Sequence, residues 1–280
     1  MEIIETLSDM RRRSLEIAAS GRTVGLVPTM GALHPGHMSL VEAAKAACDF
    51  TVVSIYINPA QFSVGEDLET YPRSLEADRA LLESAQVDIL FLPRTLYPEG
   101  FKTAVHVKKI TEPLCGQSRP DYFQGVATVV LKLFNIVRPH KAFFGEKDRQ
   151  QLEVVKTMVR DLDMDTAIVP CPIHREPDGL AMSSRNNYLS AEERISARCL
   201  PAAMQAAQKW VREGGTSAAN LKSKVRRIIE TEKNARVEYI SLCDSENFTE
   251  LNRIEGESLL ALAIWIGKTR LIDNCILGSV

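Results

Sequence analysis

Short apolar runs alternate with helix-patterned stretches from residue 23 to residue 173, and this alternation limits the fold more than any other feature. Runs at 23–28, 51–57, 87–92, 141–144 and 166–170 read as strands, while 37–48, 73–85, about 124–137 and 148–161 read as helices. In Thr51-Val52-Val53-Ser54-Ile55-Tyr56-Ile57 the apolar character is nearly continuous, as expected of a strand covered on both faces. Leu40, Val41, Ala44 and Ala47 instead recur at helical spacing. Strands of this kind separated by helices predict an α/β fold, a parallel sheet with helices on both faces. Ligands of such sheets bind beyond the carboxyl ends of the strands. Three clusters, 28–37, 58–73 and 145–151, each follow a predicted strand.

Past residue 175 the texture changes. Ser190-Ala191-Glu192-Glu193 is a capping box, opening a helix expected to run toward Trp210. Pro201 falls inside that helix and is expected to kink or divide it. Gly214-Gly215 is a break, a second helix covers roughly 217–232, and strand-like runs follow at 236–242 and 258–266. The expected organisation is an α/β domain over 1–173 and a smaller α+β domain over 174–280. The chain is long enough for a substantial core.

Lysine and arginine number 34 against 36 acidic residues, a net charge of −2, so no basic excess exists to hold a nucleic-acid backbone. The six cysteines are scattered without a Cys-x-x-Cys, which indicates neither a disulfide framework nor a zinc site. Met1-Glu2-Ile3-Ile4-Glu5 lacks the basic start and apolar core of a signal peptide. The apolar run Leu259–Ile266 is too short to span a bilayer. A reduced, cytoplasmic protein with no membrane partner is the expectation.

His34 and His37 are two of only five histidines, and they close the run Pro28-Thr29-Met30-Gly31-Ala32-Leu33-His34-Pro35-Gly36-His37 at a strand-to-helix junction. A helix opening near Pro35 puts both imidazoles on one face, because residues three apart are helix neighbours. Free N–H groups and the helix dipole favour an anion there, and Gly36 lets a flat group approach the backbone. Together these describe a nucleoside triphosphate site; a solvated helix cap is the plainer alternative.

Other clusters point the same way. Asn58 and Gln61 are neutral, two-sided hydrogen-bonding groups suited to a substrate with hydroxyls and a carboxylate. The polar stretch Ser63–Arg73, with Gly65 inside it, is either a closing loop or an ordinary solvated one. In Phe144-Gly145-Glu146-Lys147-Asp148-Arg149-Gln150-Gln151, Lys147 offers a compact cation to phosphates. Asp148 suits hydroxyls, and Gln151 shares a helix face with Lys147 or Asp148; Glu146 and Arg149 read as surface charge. Ala181-Met182-Ser183-Ser184-Arg185-Asn186 places two hydroxyls before a guanidinium, a combination that binds phosphate oxygens. Its weight comes from its expected place between the domains. Cys115, Trp265, His106, His140 and His174 read as structural.

These clusters, in this order and spacing, resemble the pantoate–β-alanine ligases (pantothenate synthetases), within the nucleotidyltransferase-like enzymes that carry His-x-Gly-His. The resemblance runs over essentially the whole chain. It rests on Pro28 to His37, Asn58-Pro-Ala-Gln61-Phe, Tyr71-Pro-Arg73, Phe144-Gly-Glu-Lys-Asp148, Gln151, Asp178-Gly-Leu-Ala-Met-Ser-Ser-Arg185-Asn and Thr269-Arg-Leu-Ile-Asp-Asn274. It implies a Rossmann-like first domain, a smaller C-terminal lid, a cytoplasmic homodimer, and ATP with Mg²⁺ as substrate without a tightly bound organic cofactor. It implies ligation of (R)-pantoate to β-alanine through a pantoyl adenylate, releasing AMP and pyrophosphate. By position, Pro28, Thr29, Met30, Gly31, Ala32, Leu33, His34, Pro35, Gly36 and His37 line the ATP site. Gly145, Glu146, Lys147 and Asp148 belong to it too, as do Met182, Ser183, Ser184 and Arg185. His34, His37, Lys147 and Arg185 carry the catalysis, with His37 at the position usually assigned as the catalytic histidine. Gln61 and Gln151 hold pantoate, with Asn58 and Tyr71 beside them, and β-alanine lies near Gln61. One departure stands out: the residue before Arg175 is usually apolar and touches the nucleotide through its backbone, and here it is His174.

Two other enzyme classes share His-x-Gly-His. A class I aminoacyl-tRNA synthetase needs an anticodon-binding domain for which this chain has no room. A cytidylyl- or adenylyltransferase would keep the transferred nucleotide in its product, so release of AMP separates it from a ligase. A nucleotide-sensing module without turnover would require degraded phosphate ligands.

Overall fold

The computed structural model describes residues 1–63 and 65–278. In chain order its elements begin β1 (Glu2–Ile4), α1 (Leu7–Ala19), β2 (Val24–Thr29), α2 (Pro35–Ala47), β3 (Phe50–Ile55), α3 (Leu75–Ser84) and β4 (Ile89–Phe91). Next come α4 (Cys115–Ser118), α5 (Tyr122–Val137), β5 (Lys141–Gly145), α6 (Arg149–Asp161) and β6 (Ala167–Cys171). The last are α7 (Ala191–Ser196), α8 (Cys199–Arg212), α9 (Ala218–Ile229), β7 (Ala235–Asp244), β8 (Ser258–Ile266) and β9 (Thr269–Leu277). Packing divides the chain into two compact units. One comprises Met1–Thr111, Arg119–Glu146 and Gln151–Pro172; the other takes Glu112–Ser118, Lys147–Gln150 and the chain from Ile173 onward.

The first unit is the expected α/β sheet. Six strands lie in the order β1-β4-β3-β2-β5-β6, and every pairing is parallel. Val27, Val53, Leu90 and Phe143 project to one face, where Leu40, Val41 and Ala44 of α2 and Leu82 of α3 bury them. Residues of opposite parity, such as Leu26 and Val52, face the other way and are fully buried. There α1 and α5 pack on each other and on β2. From β2 the chain runs outward through β3 and β4, then returns to build β5 on the opposite side of β2. That reversal makes a switch point between the carboxyl ends of β2 and β5, the usual ligand crevice of open parallel sheets.

Two elements of this unit escape the sequence pattern. Strand β1 has only three residues and pairs at the sheet edge, Ile3 opposite Leu90. Helix α1 buries only Met10, Ser14 and Ile17, a stripe too narrow to read through its run of charges. Thr6 caps it, its hydroxyl accepting the Asp9 N–H at 3.1 Å.

The second unit is a three-stranded antiparallel sheet, β7-β8-β9, covered by α8 and α9 through Leu200, Met204, Leu221 and Val225. Its capping box forms as expected. The Ser190 hydroxyl accepts the Glu193 N–H at 3.2 Å, and the Ser190 N–H donates to the Glu193 carboxylate at 2.9 Å. The expected division of the following helix falls at Ala197–Arg198 rather than at Pro201 itself. Pro201 then occupies the first turn of α8, where its missing N–H has no intrahelical partner to lose. Strand β9 was not anticipated as a strand, and it completes the sheet beside β8.

Candidate active site

Strand β2 ends on Pro28 and Thr29, and a short turn later His34 caps α2 with Pro35 at its first position. The His34 carbonyl accepts the N–H groups of His37 and Met38 at 2.8 and 3.1 Å, which starts the helix on the histidine. The two rings stack, 4.0 Å between centroids and 30° between planes. The His34 N–H donates to His37 Nδ1 at 3.4 Å. An Nδ1 that accepts places the ring's proton on Nε2. The Thr29 hydroxyl donates to the Ser54 carbonyl and accepts the Gly31 N–H, fastening the turn to β3. Gly31 (φ +83°) and Ala32 (φ +50°) are both left-handed, the geometry glycine adopts without strain and alanine does not.

Asn58 and Gln61 bracket a short 3-10 turn after β3. Asn58 is buried, and its amide is oriented by backbone groups that allow no alternative. Oδ1 accepts the Ala60 N–H at 3.3 Å, while Nδ2 donates to the Gly125 carbonyl at 3.1 Å. Nδ2 therefore also donates to Gln61, at 3.0 Å, and the atom it meets is Gln61 Oε1. Gln61 is left with Nε2, two donors, for anything else. The Tyr97 hydroxyl donates to Asn58 Oδ1 at 2.9 Å. Burial raises the phenol to about 12, so it keeps its proton. Gly125 allows this approach of α5: a Cβ there would lie 2.1 Å from the Ala60 carbonyl oxygen.

Arg119 ties neighbouring segments of the same unit together. It grips Glu66 bidentately at 2.6 and 2.7 Å, donates to the Gln61 carbonyl at 2.9 Å and stacks 3.8 Å over the Tyr122 ring. The Tyr122 hydroxyl in turn donates to Gln151 Oε1 at 3.1 Å, leaving Gln151, like Gln61, with its amide donors. Tyr71 is buried with its ring edge-on to Phe62 at 5.8 Å. Of the 63–70 stretch, Val64 lies outside the described residues. Gly145 ends β5, and Glu146–Asp148 form a 3-10 turn. A Cβ at Gly145 would meet nothing within 4 Å, so packing does not require a glycine there.

The remaining candidates lie in the second unit. Lys147 Nζ is 3.9 Å from Asp148 Oδ2, and the Asn274 amide from β9 donates to the Lys147 carbonyl at 3.0 Å. His174 opens a tight excursion whose ends meet, its carbonyl accepting the Met182 N–H at 3.0 Å, with Arg175 bridged to Ala181. Ser183 caps the 3-10 turn Ser184–Tyr188, its hydroxyl accepting the Arg185 N–H at 3.3 Å. Three buried or half-buried arginines fix this framework. Arg175 holds Asp273 bidentately at 2.7 and 2.9 Å. Arg194 bridges Glu176 and Asp178. Arg270 holds Glu238, which also accepts from Trp265 Nε1 and the Ser118 hydroxyl. The hydrogen bond from Arg194 holds the Asp178 carboxyl down at about 2.

Sequence reasoning did not single out Tyr97, Asp78, Tyr122 or Arg119. Each acts on a partner distant in the chain, and no local motif marks them; Asp273 falls within the quoted Thr269–Asn274 motif but was given no role of its own.

Parallel strands, a switch point and a helix opening on two stacked imidazoles place the chain among the α/β proteins that hold an anion beyond their strand ends. Comparison with known proteins narrows that class. Residues 2–276 match the family described as pantoate-beta-alanine ligase. The pantothenate synthetase of Geobacter sulfurreducens is 51% identical over 281 residues, covering 100% of this chain and 99% of that protein. That of Caldicellulosiruptor bescii is 48% identical with full coverage of both. The crystal structure of the Thermus thermophilus pantothenate synthetase superposes with a TM-score of 0.93 at 42% identity, covering 98% of this chain and 99% of that one. The Francisella tularensis pantoate-beta-alanine ligase, solved in complex with β-γ ATP and β-alanine, gives 0.82 at 35% identity, covering 99% and 97%. The chain belongs to the pantoate–β-alanine ligase family and is an enzyme of that kind.

Proposed function

We propose that the chain joins (R)-pantoate to β-alanine at the expense of ATP, through a pantoyl adenylate, and that the residues above divide the work as follows. A carboxylate is a poor acyl donor, because oxide is a poor leaving group. In the first half-reaction an oxygen of the pantoate carboxylate forms a bond to the α-phosphorus of ATP, and the bond to the β-phosphate oxygen breaks, releasing pyrophosphate. In the second the β-alanine amine bonds to the acyl carbon, AMP leaves with the acyl oxygen bond electrons, and the amine loses a proton. The first step is limited by charge: two anions must meet, so its catalysis consists of neutralisation and alignment.

His37 Nε2–H and the amides at the start of α2 are assigned to the phosphates, with His34 stacked behind. Lys147 and Arg185 supply permanent positive charge, and the hydroxyls of Ser183 and Ser184 supply phosphate donors. Gly145, Glu146, Asp148, Met182 and the backbone of His174 are assigned to the nucleotide. Mg²⁺ enters with ATP on its phosphates. No cluster of three or more histidine, cysteine or acidic side chains able to hold a metal occurs among the described residues. Gln61 and Gln151 are assigned to pantoate, with Asn58 behind Gln61 and Tyr71 beside them. The observation that carries this assignment is the fixed polarity of Gln61, an amide compelled to donate, which suits a ligand built of carboxylate and hydroxyl oxygens. Residues 1–173 form the nucleotide- and pantoate-binding domain in this proposal and 174–280 the lid. The working form is a cytoplasmic homodimer.

One experiment tests the core of this. The purified protein is incubated with ATP, Mg²⁺, pantoate and β-alanine, each is omitted in turn, and AMP is measured. AMP release that requires all four supports the reading. A stable nucleotide conjugate in place of AMP would assign the chain to nucleotide transfer instead.

A further inference from the structure

The turn between β2 and α2 is held in a conformation its own sequence does not favour. Gly31 and Ala32 follow one another in the left-handed region, at φ +83° and +50°. The second of these is an alanine, which reaches that region only when its surroundings impose it. The imposing group is Asp78, one turn into α3 and 2% exposed. Its Oδ2 accepts the Ala32 N–H at 2.9 Å and its Oδ1 the Leu33 N–H at 2.8 Å. The Ser74 hydroxyl, at the cap of α3, donates to Oδ1 at 3.1 Å and holds the carboxylate from behind. Gly31 leaves room for this: a Cβ there would lie 3.1 Å from Asp78 Oδ2 and 3.1 Å from Ile55.

The chain direction gives that grip its consequence. The residue after Leu33 is His34, whose carbonyl starts α2 and whose ring stacks on His37. Two successive amides locked on a carboxylate fix the plane in which His34 begins, and with it both imidazoles. We infer that Asp78 is a positioning residue for the nucleotide half-reaction, acting through the backbone of Ala32 and Leu33 to hold His34 and His37 in their stacked arrangement. This rests on the assignment of those histidines to ATP phosphates.

Asp78→Asn is the direct test, because it preserves shape while replacing one of the two acceptor oxygens with an NH₂ that faces an N–H. Pantoate-dependent ATP–pyrophosphate exchange is expected to fall about tenfold to a hundredfold, the loss of one hydrogen bond to a charged group. The KM for β-alanine should stay unchanged, and Ser74→Ala, which leaves both amide bonds, should exchange nearly as the parent. Adding Ala32→Gly to Asp78→Asn is expected to recover part of the exchange, because glycine adopts the left-handed turn unaided. A merely structural carboxylate predicts otherwise: lowered Tm, parental exchange per folded molecule, and no recovery from glycine. That outcome overturns the inference. Should Asp78→Asn not fold, Gly31→Ala crowds the same carboxylate while leaving it in place, and parental exchange in that variant overturns the inference equally. His37→Ala separates this failure from a failure of the site assignment. Parental exchange in His37→Ala rejects the site; parental exchange in Asp78→Asn with an inactive His37→Ala rejects only the role of Asp78.

Discussion

Replacing Asn58 by aspartate exchanges one amide nitrogen for an oxygen and should reverse the chemistry presented to pantoate. Nδ2 of Asn58 makes two donations, to Gln61 Oε1 at 3.0 Å and to the Gly125 carbonyl at 3.1 Å. In Asn58→Asp an oxygen takes its place and faces two oxygens at a position 1% exposed. Each buried acceptor left without a donor costs about 1–3 kcal/mol. Rotation of the Gln61 amide relieves one of them by turning Nε2 toward the new carboxylate. The rotated Gln61 then presents Oε1, an acceptor, to a substrate whose polar groups are chiefly acceptors. The cost of about 1–3 kcal/mol that remains at Gly125 falls on stability. The mismatch at Gln61 falls on pantoate and should raise its KM about tenfold or more, the equivalent of one hydrogen bond, with the KM for ATP little changed.

The same variant carries its own pH signature. Burial and the facing oxygens raise the introduced carboxyl in the folded state above its unfolded value of about 4. The part of the penalty that comes from ionisation is therefore absent below about pH 4 and grows as the pH rises toward the folded-state value. Once protonated, the introduced side chain donates again, so the pantoate KM should recover toward the parental value as the assay is made more acidic. Steady-state AMP release from about pH 5 to about pH 8, with pantoate and ATP varied separately, reads both effects. A pantoate KM within twofold of the parent across that range, in a protein with a clearly lowered Tm, would refute the polarity argument.

Three further outcomes follow from the same geometry. His37→Ala and Lys147→Ala should keep the fold, by circular dichroism and Tm, while ATP–pyrophosphate exchange falls by roughly 10²–10³, the scale of a lost transition-state donor; near-normal exchange in both rejects their assignment. Gln151→Ala should weaken pantoate more than ATP, and Tyr122→Phe, which removes the hydroxyl donating to Gln151 Oε1, should do the same more mildly; equal losses for both ligands argue against a pantoate role. Asp178, held at about 2 chiefly by its hydrogen bond from Arg194, contributes stability that is present above the unfolded value of about 4 and is lost as the pH falls toward 2. Asp178→Asn should therefore be less stable than the parent in urea at neutral pH, and the difference should shrink as the pH is lowered from about 5 to about 3. A constant difference would mean that Asp178 acts by packing alone.

How much of this was legible in the sequence depended on whether a feature was local. Continuous apolar strands and amphipathic helices repeat within a few residues, so β2 to β6 and the helices α2, α3, α5 and α6 between them could be read directly, while the four-residue α4 could not. Strand β1 could not, because Glu2–Ile4 becomes a strand only through pairing with Ile89–Phe91. Strand β9 was missed because Thr269–Leu277 mixes polar with apolar positions, its buried Asp273 and Asn274 engaged by side-chain and backbone groups elsewhere in its unit. The candidate site divides along the same line. Stacked histidines three apart and the Asn58–Gln61 pair are local; the Asp78 grip on residues 45 and 46 positions away is not.

The charged residues carry this contrast furthest. Arg175, Arg194 and Arg270 stand in the sequence on the same footing as Lys147 and Arg185, and a net charge of −2 does not distinguish them. In the folded second unit the first three are committed to carboxylates at 2.6–2.8 Å. Charge bound so closely is largely cancelled, and a buried pair of this kind organises structure more than it attracts a ligand. Lys147 is paired more loosely, its Nζ 3.9 Å from Asp148 Oδ2. An arginine count therefore does not measure the positive charge a ligand meets. Which arginines are committed in this way only the fold reveals.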